Sequence, residues 1–102
     1  MAEFGNAFSG LAKKPKINKQ ELIRSIRFMI AAEYEAVQLY MQLAESTDNE
    51  LAIEVLTDIA DEERVHAGEF LRLLQELEPD EEKFYAQGTQ EVEELIKSLK
   101  YT

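Results

Sequence analysis

Three features of the sequence predict an all-α chain. Two long antiparallel helices form half of a four-helix bundle that dimerisation completes, and a short C-terminal helix follows. Positions 22–44 contain neither glycine nor proline. Apolar residues recur every three or four positions on both sides of a short polar turn at 46–49, the period of a helix face that packs on another helix. No segment shows the every-second-residue alternation of a half-buried strand.

The elements follow in order. Residues 1–17 hold two of the four glycines, one of the two prolines and the basic group Lys13, Lys14 and Lys16. They carry no helical stripe and read as a flexible arm with apolar pegs at Phe4, Phe8 and Leu11. The first helix is expected to start at Asn18, whose side chain can accept from first-turn amides while Glu21 reaches back, a capping box. After Ser46-Thr47-Asp48-Asn49, with Thr47 or Asp48 as the cap, a second helix runs to about Leu77, because Pro79 disfavours helical geometry at Glu78. Gly68 inside it costs about 1 kcal/mol against alanine and suggests a close approach by another helix. Pro79 opens an acidic turn ending near Gly88, where the hairpin unit of residues 18–88 closes. Thr89 then caps an amphipathic helix, within the segment 89–102, that carries Val92, Leu95, Ile96 and Leu99.

Composition narrows the chemistry. The chain has 102 residues, one domain's worth, with no cysteine and a single histidine. Disulfides, thiolate-bound metals and thiol nucleophiles are excluded. A mononuclear site with two or three imidazoles needs another chain to supply them. Twenty-one acidic against eleven basic residues give a net charge of −10, which repels phosphate backbones and concentrates cations, so nucleic acid is not an expected partner. No apolar run is long enough to cross a membrane and the amino terminus lacks a signal-peptide layout, so a cytoplasmic location is expected.

Heptad spacing places Leu22, Ile26, Met29, Glu33, Ala36, Tyr40 and Leu43 along one face of the first helix. Ala52, Leu56, Ile59, Glu63, His66, Phe70, Leu73 and Leu77 line the second. Both seams are apolar except in the middle, at Glu33 on one side and Glu63 with His66 on the other. A buried carboxylate without a partner costs several kcal/mol, so these positions need a reason. Counted from residue 47, Glu33 lies 47 − 33 = 14 residues before the turn and Glu63 63 − 47 = 16 after it. At about 1.5 Å per residue the two carboxylates stand level, roughly 21–24 Å from the turn, with His66 one helical turn farther on. One glutamate plus Glu-x-x-His is half of the donor set of a dinuclear carboxylate site in a four-helix bundle, and a two-fold dimer supplies the other half. Carboxylate and imidazole donors suit iron or manganese.

Plainer readings stand beside this one. A core histidine paired to Glu63 is the structural alternative. Tyr40 is equally a core residue or a neighbour of the site. Glu35 and Glu62 fall off the seams and read first as solvated positions, then as a cation uptake route. The acidic runs Asp80-Glu81-Glu82 and Glu91-Val92-Glu93-Glu94 read as solvated helix faces.

Ala32-Glu33-Tyr34-Glu35-Ala36-Val37 with Tyr40, and Asp61-Glu62-Glu63-Arg64-Val65-His66-Ala67-Gly68-Glu69-Phe70 with Leu73-Leu74 and Leu77-Glu78-Pro79, resemble the two ligand helices of the encapsulated ferritins. The likeness covers about residues 18–85. It implies a half-ferritin whose dimers form a di-iron ferroxidase centre and assemble into a ring-like decamer. Such proteins oxidise ferrous iron with dioxygen and release it for mineralisation inside an encapsulin shell. By motif position Glu33, Glu63 and His66 match the metal ligands, Tyr40 the tyrosine beside the iron, and Glu35 an acidic residue on the uptake route. Ala32 departs from members that carry a second glutamate there. The amphipathic C-terminal helix departs from members ending in a glycine-rich linker and shell-targeting peptide, a role the arm at 1–16 could take instead. Rubrerythrins share the Glu-x-x-His core but add a cysteine-ligated iron domain, which this chain lacks. The competing functions are a peroxide-consuming dimetal enzyme, a histidine phosphotransfer domain and a non-catalytic helical adaptor.

Overall fold

The computed structural model describes residues 10–100. Phe4 and Phe8 of the arm lie outside them, and Leu11 is exposed. The described chain forms helix α1 (Lys19–Ala44), helix α2 (Glu50–Leu77), a 3-10 turn (Pro79–Glu81) and helix α3 (Glu82–Leu99). The all-α hairpin read from the sequence is the observed architecture.

The start of α1 is the expected capping box. Asn18 Oδ1 accepts from the Glu21 amide at 2.8 Å, and the Glu21 carboxylate accepts from the Asn18 amide at 3.0 Å. The Lys13 ammonium, which bonds the same carboxylate, and the Asn18 amide hold the Glu21 carboxyl below its ordinary range. The cap of α2 differs from the expectation. Asn49, not Thr47 or Asp48, accepts from the Ala52 amide at 3.0 Å. Thr47 Oγ1 instead accepts from the Asn49 amide at 3.1 Å, shaping the turn that delivers the cap. Glu78 leaves helical geometry at φ −137°, as its proline neighbour requires.

The expected break at Gly88 and Thr89 is absent: α3 runs unbroken through both, and Thr89 caps nothing. The reason is local. One helical glycine costs only about 1 kcal/mol, and the residues around it are adequate helix formers. The unit boundary placed at 88/89 therefore falls inside a helix. Nor is the acidic turn merely solvated. Glu81 is half-buried, accepts from Tyr85 Oη and pairs with Arg27 on α1. The bond to Glu81 pushes the Tyr85 phenol above its ordinary range.

The helices of the hairpin pack over a thin core. Its buried members are Ile23, Ile26, Ile30 and Ala44 of α1 and Ala60, Ala67 and Leu74 of α2. Among the described residues Ile23 is the one large side chain that is fully covered. The radius of gyration is 18.3 Å, against about 13 Å for a compact chain of this length. α3 packs on the 3-10 turn and not along the hairpin, and none of its residues is buried.

Within one chain the seam lies one residue away from the expected register at every second position. In α1 the inward set is Ile23, Ile26, Ile30, Glu33, Val37, Tyr40 and Ala44; in α2 it is Ile53, Leu56, Ala60, Glu63, Ala67, Phe70, Leu74 and Leu77. The expected Met29, Leu43 and Leu73 stand 42%, 56% and 41% exposed on the flank of the hairpin. Each helix has an apolar face wider than one neighbour can cover, and the hairpin uses only one side of it.

Replacing Asn49 by alanine removes the α2 cap and is expected to lower stability by about 1 kcal/mol. Urea unfolding of the metal-free chain followed by circular dichroism measures it, and an unchanged midpoint would contradict the assignment.

Candidate metal centre

Glu33 comes from the middle of α1, and Glu63 and His66 from the middle of α2. Because His66 follows Glu63 by three residues, both side chains leave α2 toward the same side, and the equal arms of the hairpin bring Glu33 level with them. His66 Nδ1 lies 3.7 Å from Glu63 Oε2 and 4.0 Å from Glu33 Oε2. One ligand atom from each of the three residues falls within 4.8 Å of the others.

These separations are too long for direct hydrogen bonds. They suit donors arranged around a cation, since bonds of about 2.0–2.2 Å place ligand atoms roughly 3–4 Å apart. Glu33 Oε2 supplies the stronger argument. It is buried and has no hydrogen-bond partner among the described residues. An oxygen stripped of water and left unpaired costs about 1–3 kcal/mol, more when charged. A bound cation removes that cost, so the donor set fits a metal.

The site is asymmetric in its exposure. The Glu33 and Glu63 side chains are 16% and 20% exposed, but His66 is 47% exposed. The expectation that His66 lies in the seam therefore needs correcting. Ala67 fills the inward position, and His66 stands beside it on the open flank, in line with Met29, Leu43 and Leu73. The half-site consequently faces out of the chain.

The other candidates are not drawn in. Tyr40 is half-buried on the α1 stripe, about 10 Å along the helix from Glu33, and makes no hydrogen bond among the described residues. Glu35 and Glu62 are exposed and stand apart from the three-residue group. On the opposite side of the hairpin lies a groove of about 520 Å³ that sequence reasoning did not find, bounded by Tyr34, Gln38, Arg64, Gly68 and Leu71. Gly68 was its only trace in the sequence. Among the described residues no other helix approaches that glycine: a Cβ there would meet nothing within 4 Å.

A family model described as rubrerythrin matches residues 25–102. The chain belongs to the rubrerythrin family. The match lies over the helices, where this chain carries Glu-x-x-His, and involves no cysteine. Within the family the chain is similar to the crystal structure of the encapsulated ferritin domain from Pyrococcus furiosus. The two superpose with a TM-score of 0.79 at 38% identity, over 88% of this chain and 91% of that one. The chain is also 40% identical over 77 residues to a ferritin-like–encapsulin shell fusion protein of Pyrococcus furiosus. It is 42% identical over 76 residues to an encapsulin nanocompartment cargo protein of Myxococcus xanthus. These matches take in 76% and 74% of this chain but span only 22% and 58% of those two relatives. The half-ferritin fold and the encapsulated-ferritin likeness read from the sequence both hold.

Replacing Glu33 by glutamine or His66 by alanine is expected to weaken divalent-metal binding at least tenfold, about 1.4 kcal/mol. Anaerobic titration calorimetry with ferrous or cobaltous ion reads this directly. Wild-type affinity in both variants would remove these residues from the site.

Proposed function

We propose that the chain is a ferroxidase: two copies meet across the flank that carries His66 and oxidise ferrous iron at a di-iron centre built from both. The observation that carries the reading is the buried, unanswered Glu33 oxygen beside Glu63 and a histidine that faces outward. A two-fold partner brings a second such set to the same place and covers Met29, Leu43 and Leu73. Four glutamates and two histidines then surround two metal positions.

Ferrous iron is the substrate. Each ion gives up one electron; dioxygen takes two, with two protons from solvent, to leave two ferric ions and hydrogen peroxide. The chain's own groups have separate tasks. The Glu33 and Glu63 carboxylates offset the charge of the ions, which grows on oxidation. His66 offers a ring nitrogen, and its exposure leaves it free to adjust as the partner closes. The net charge of −10 raises the local concentration of cations without binding any one of them. Tyr40 is proposed as a neighbour of the centre, and Glu35 and Glu62 as outlying acidic residues on the approach.

The relatives named for an encapsulin shell and its cargo support a further part of the reading. The dimers assemble into a ring, a decamer by the family likeness. The ring works inside an encapsulin compartment in the cytoplasm, where the ferric product is mineralised. No described helix is long and apolar enough to cross a membrane.

Two measurements test the proposal. Stopped-flow oxidation of two ferrous ions per dimer by dioxygen is expected to be fast in the wild type and reduced at least a hundredfold in Glu63→Ala, a loss of about 3 kcal/mol in barrier lowering. Faster turnover with hydrogen peroxide than with dioxygen would instead favour a dimetal peroxidase. Anaerobic ferrous iron is expected to raise both the melting temperature and the mass of the wild type, because metal binds only the associated folded form. Unchanged values would overturn the shared site.

A further inference from the structure

Two-electron reduction of dioxygen at the proposed centre leaves hydrogen peroxide between two chains. The sequence has no cysteine, so its soft oxidisable groups are the methionine thioethers. Two of the three methionines, Met29 and Met41, belong to the described residues. They stand in opposite relation to the metal centre.

Met29 precedes Glu33 by four residues on α1, so the two side chains rise from the same side of the helix, one above the other. Counted from position 47, Met29 stands 18 residues before the turn and His66 19 after it, level to within about 1.5 Å along the hairpin. Met29 is 42% exposed, on the open flank where the His66 side chain is 47% exposed. Met41 differs on each count. It is half-buried and lies about 12 Å from Glu33 in the other direction along α1. It follows Val37 and Gln38 by four and three residues, which puts it on the side of the groove.

We infer that Met29 is an oxidative modification site: peroxide formed at the shared centre converts its thioether to a sulfoxide, and the sulfoxide loosens the contact between the two chains. The inference rests on the ferroxidase reading, which supplies the peroxide. The step balances without a further reactant. A sulfur lone pair forms a bond to one peroxide oxygen, the O–O bond breaks, and the second oxygen leaves as water after a proton shift. Thioether plus hydrogen peroxide thus gives sulfoxide plus water. Position favours Met29, because a product formed beside the sulfur reaches it before dilution.

The effect on pairing follows from polarity. Leu43 and Leu73, on the same flank, are 56% and 41% exposed. A thioether adapts to an apolar contact of this kind, whereas a sulfoxide brings in a polar S=O that leucine side chains cannot answer. Oxidation of Met29 therefore opposes pairing, and a chain that loses its partner keeps only half of the donor set. The centre is switched off by its own product, and reduction of the sulfoxide switches it on again.

The test takes the full-length wild type, Met29→Leu and Glu63→Ala through repeated aerobic loading with ferrous ion, with catalase in the medium. Peptide fragmentation then locates each added oxygen, and native mass spectrometry counts dimers. In the wild type, oxygen added at Met29 is expected to exceed that at Met41 at least tenfold, with dimer lost in step. Glu63→Ala is expected to gain oxygen at neither methionine. Met29→Leu, apolar but unable to take up oxygen, is expected to stay paired over the same loadings. Met29→Gln, polar like the sulfoxide, is expected to shift the metal-loaded dimer toward single chains at least tenfold. Methionine sulfoxide reductase is expected to return the oxidised wild type to the dimer. Equal oxidation of Met29 and Met41, or its disappearance when catalase is present, would place the oxidant in bulk solvent and overturn the inference. Loss of dimer in Met29→Leu at the wild-type rate would do the same. Ferrous oxidation that leaves Met29 intact overturns this inference alone, whereas absence of ferrous oxidation overturns the ferroxidase reading beneath it.

Discussion

The Glu33 carboxylate is held between α1 and α2 with one oxygen out of water and no donor among the described residues to meet it. A folded chain tolerates such an arrangement when something else removes the cost, and here the nearest groups are a second carboxylate and an imidazole. The hairpin makes the arrangement possible: its equal arms bring the three residues level, and the caps at Asn18 and Asn49 set where each helix starts. A one-residue slip in the register of either helix would rotate its donors by about 100° and part them. The rest of the chain is thin by comparison. Its buried core is a single line of side chains along the hairpin, and the extended form it gives the molecule leaves both broad sides of that hairpin uncovered.

Much of this could be read from the residues. The two helices, the proline-enforced stop at Glu78 and the Asn18–Glu21 box depend on interactions within four residues, which sequence encodes directly. The convergence of Glu33, Glu63 and His66 followed from counting along two helices from one turn. The register of the seam did not follow. Ile26, Glu33 and Tyr40 belong to both the expected and the observed stripe, but Leu22, Met29, Ala36 and Leu43 alternate with Ile23, Ile30, Val37 and Ala44 as equally apolar choices. When a helix is apolar over more than one face, periodicity gives the mean direction of burial and not the neighbour that provides it. His66 was misplaced for that reason: it lies on the mean direction, one step from the seam its own chain forms.

Gly88 shows the opposite limit. A glycine beside a threonine reads locally as a stop and a fresh start, yet α3 passes through. The cost of glycine in a helix is small enough for flanking residues to absorb. What the sequence could not show is that both Gly68 and Gly88 face open space, because that depends on the direction in which α3 leaves the hairpin. The carboxylates and histidine look out on one side of the hairpin and the Arg64 groove lies on the other.

That direction of departure is governed by very little. Glu81, half-buried at the elbow, receives Arg27 from α1 and Tyr85 from α3 and so joins those two helices at one carboxylate. Without the Arg27 and Tyr85 contacts, α3 would be tethered to the hairpin by little more than the 3-10 turn and could swing as a unit, leaving the metal-bearing hairpin undisturbed.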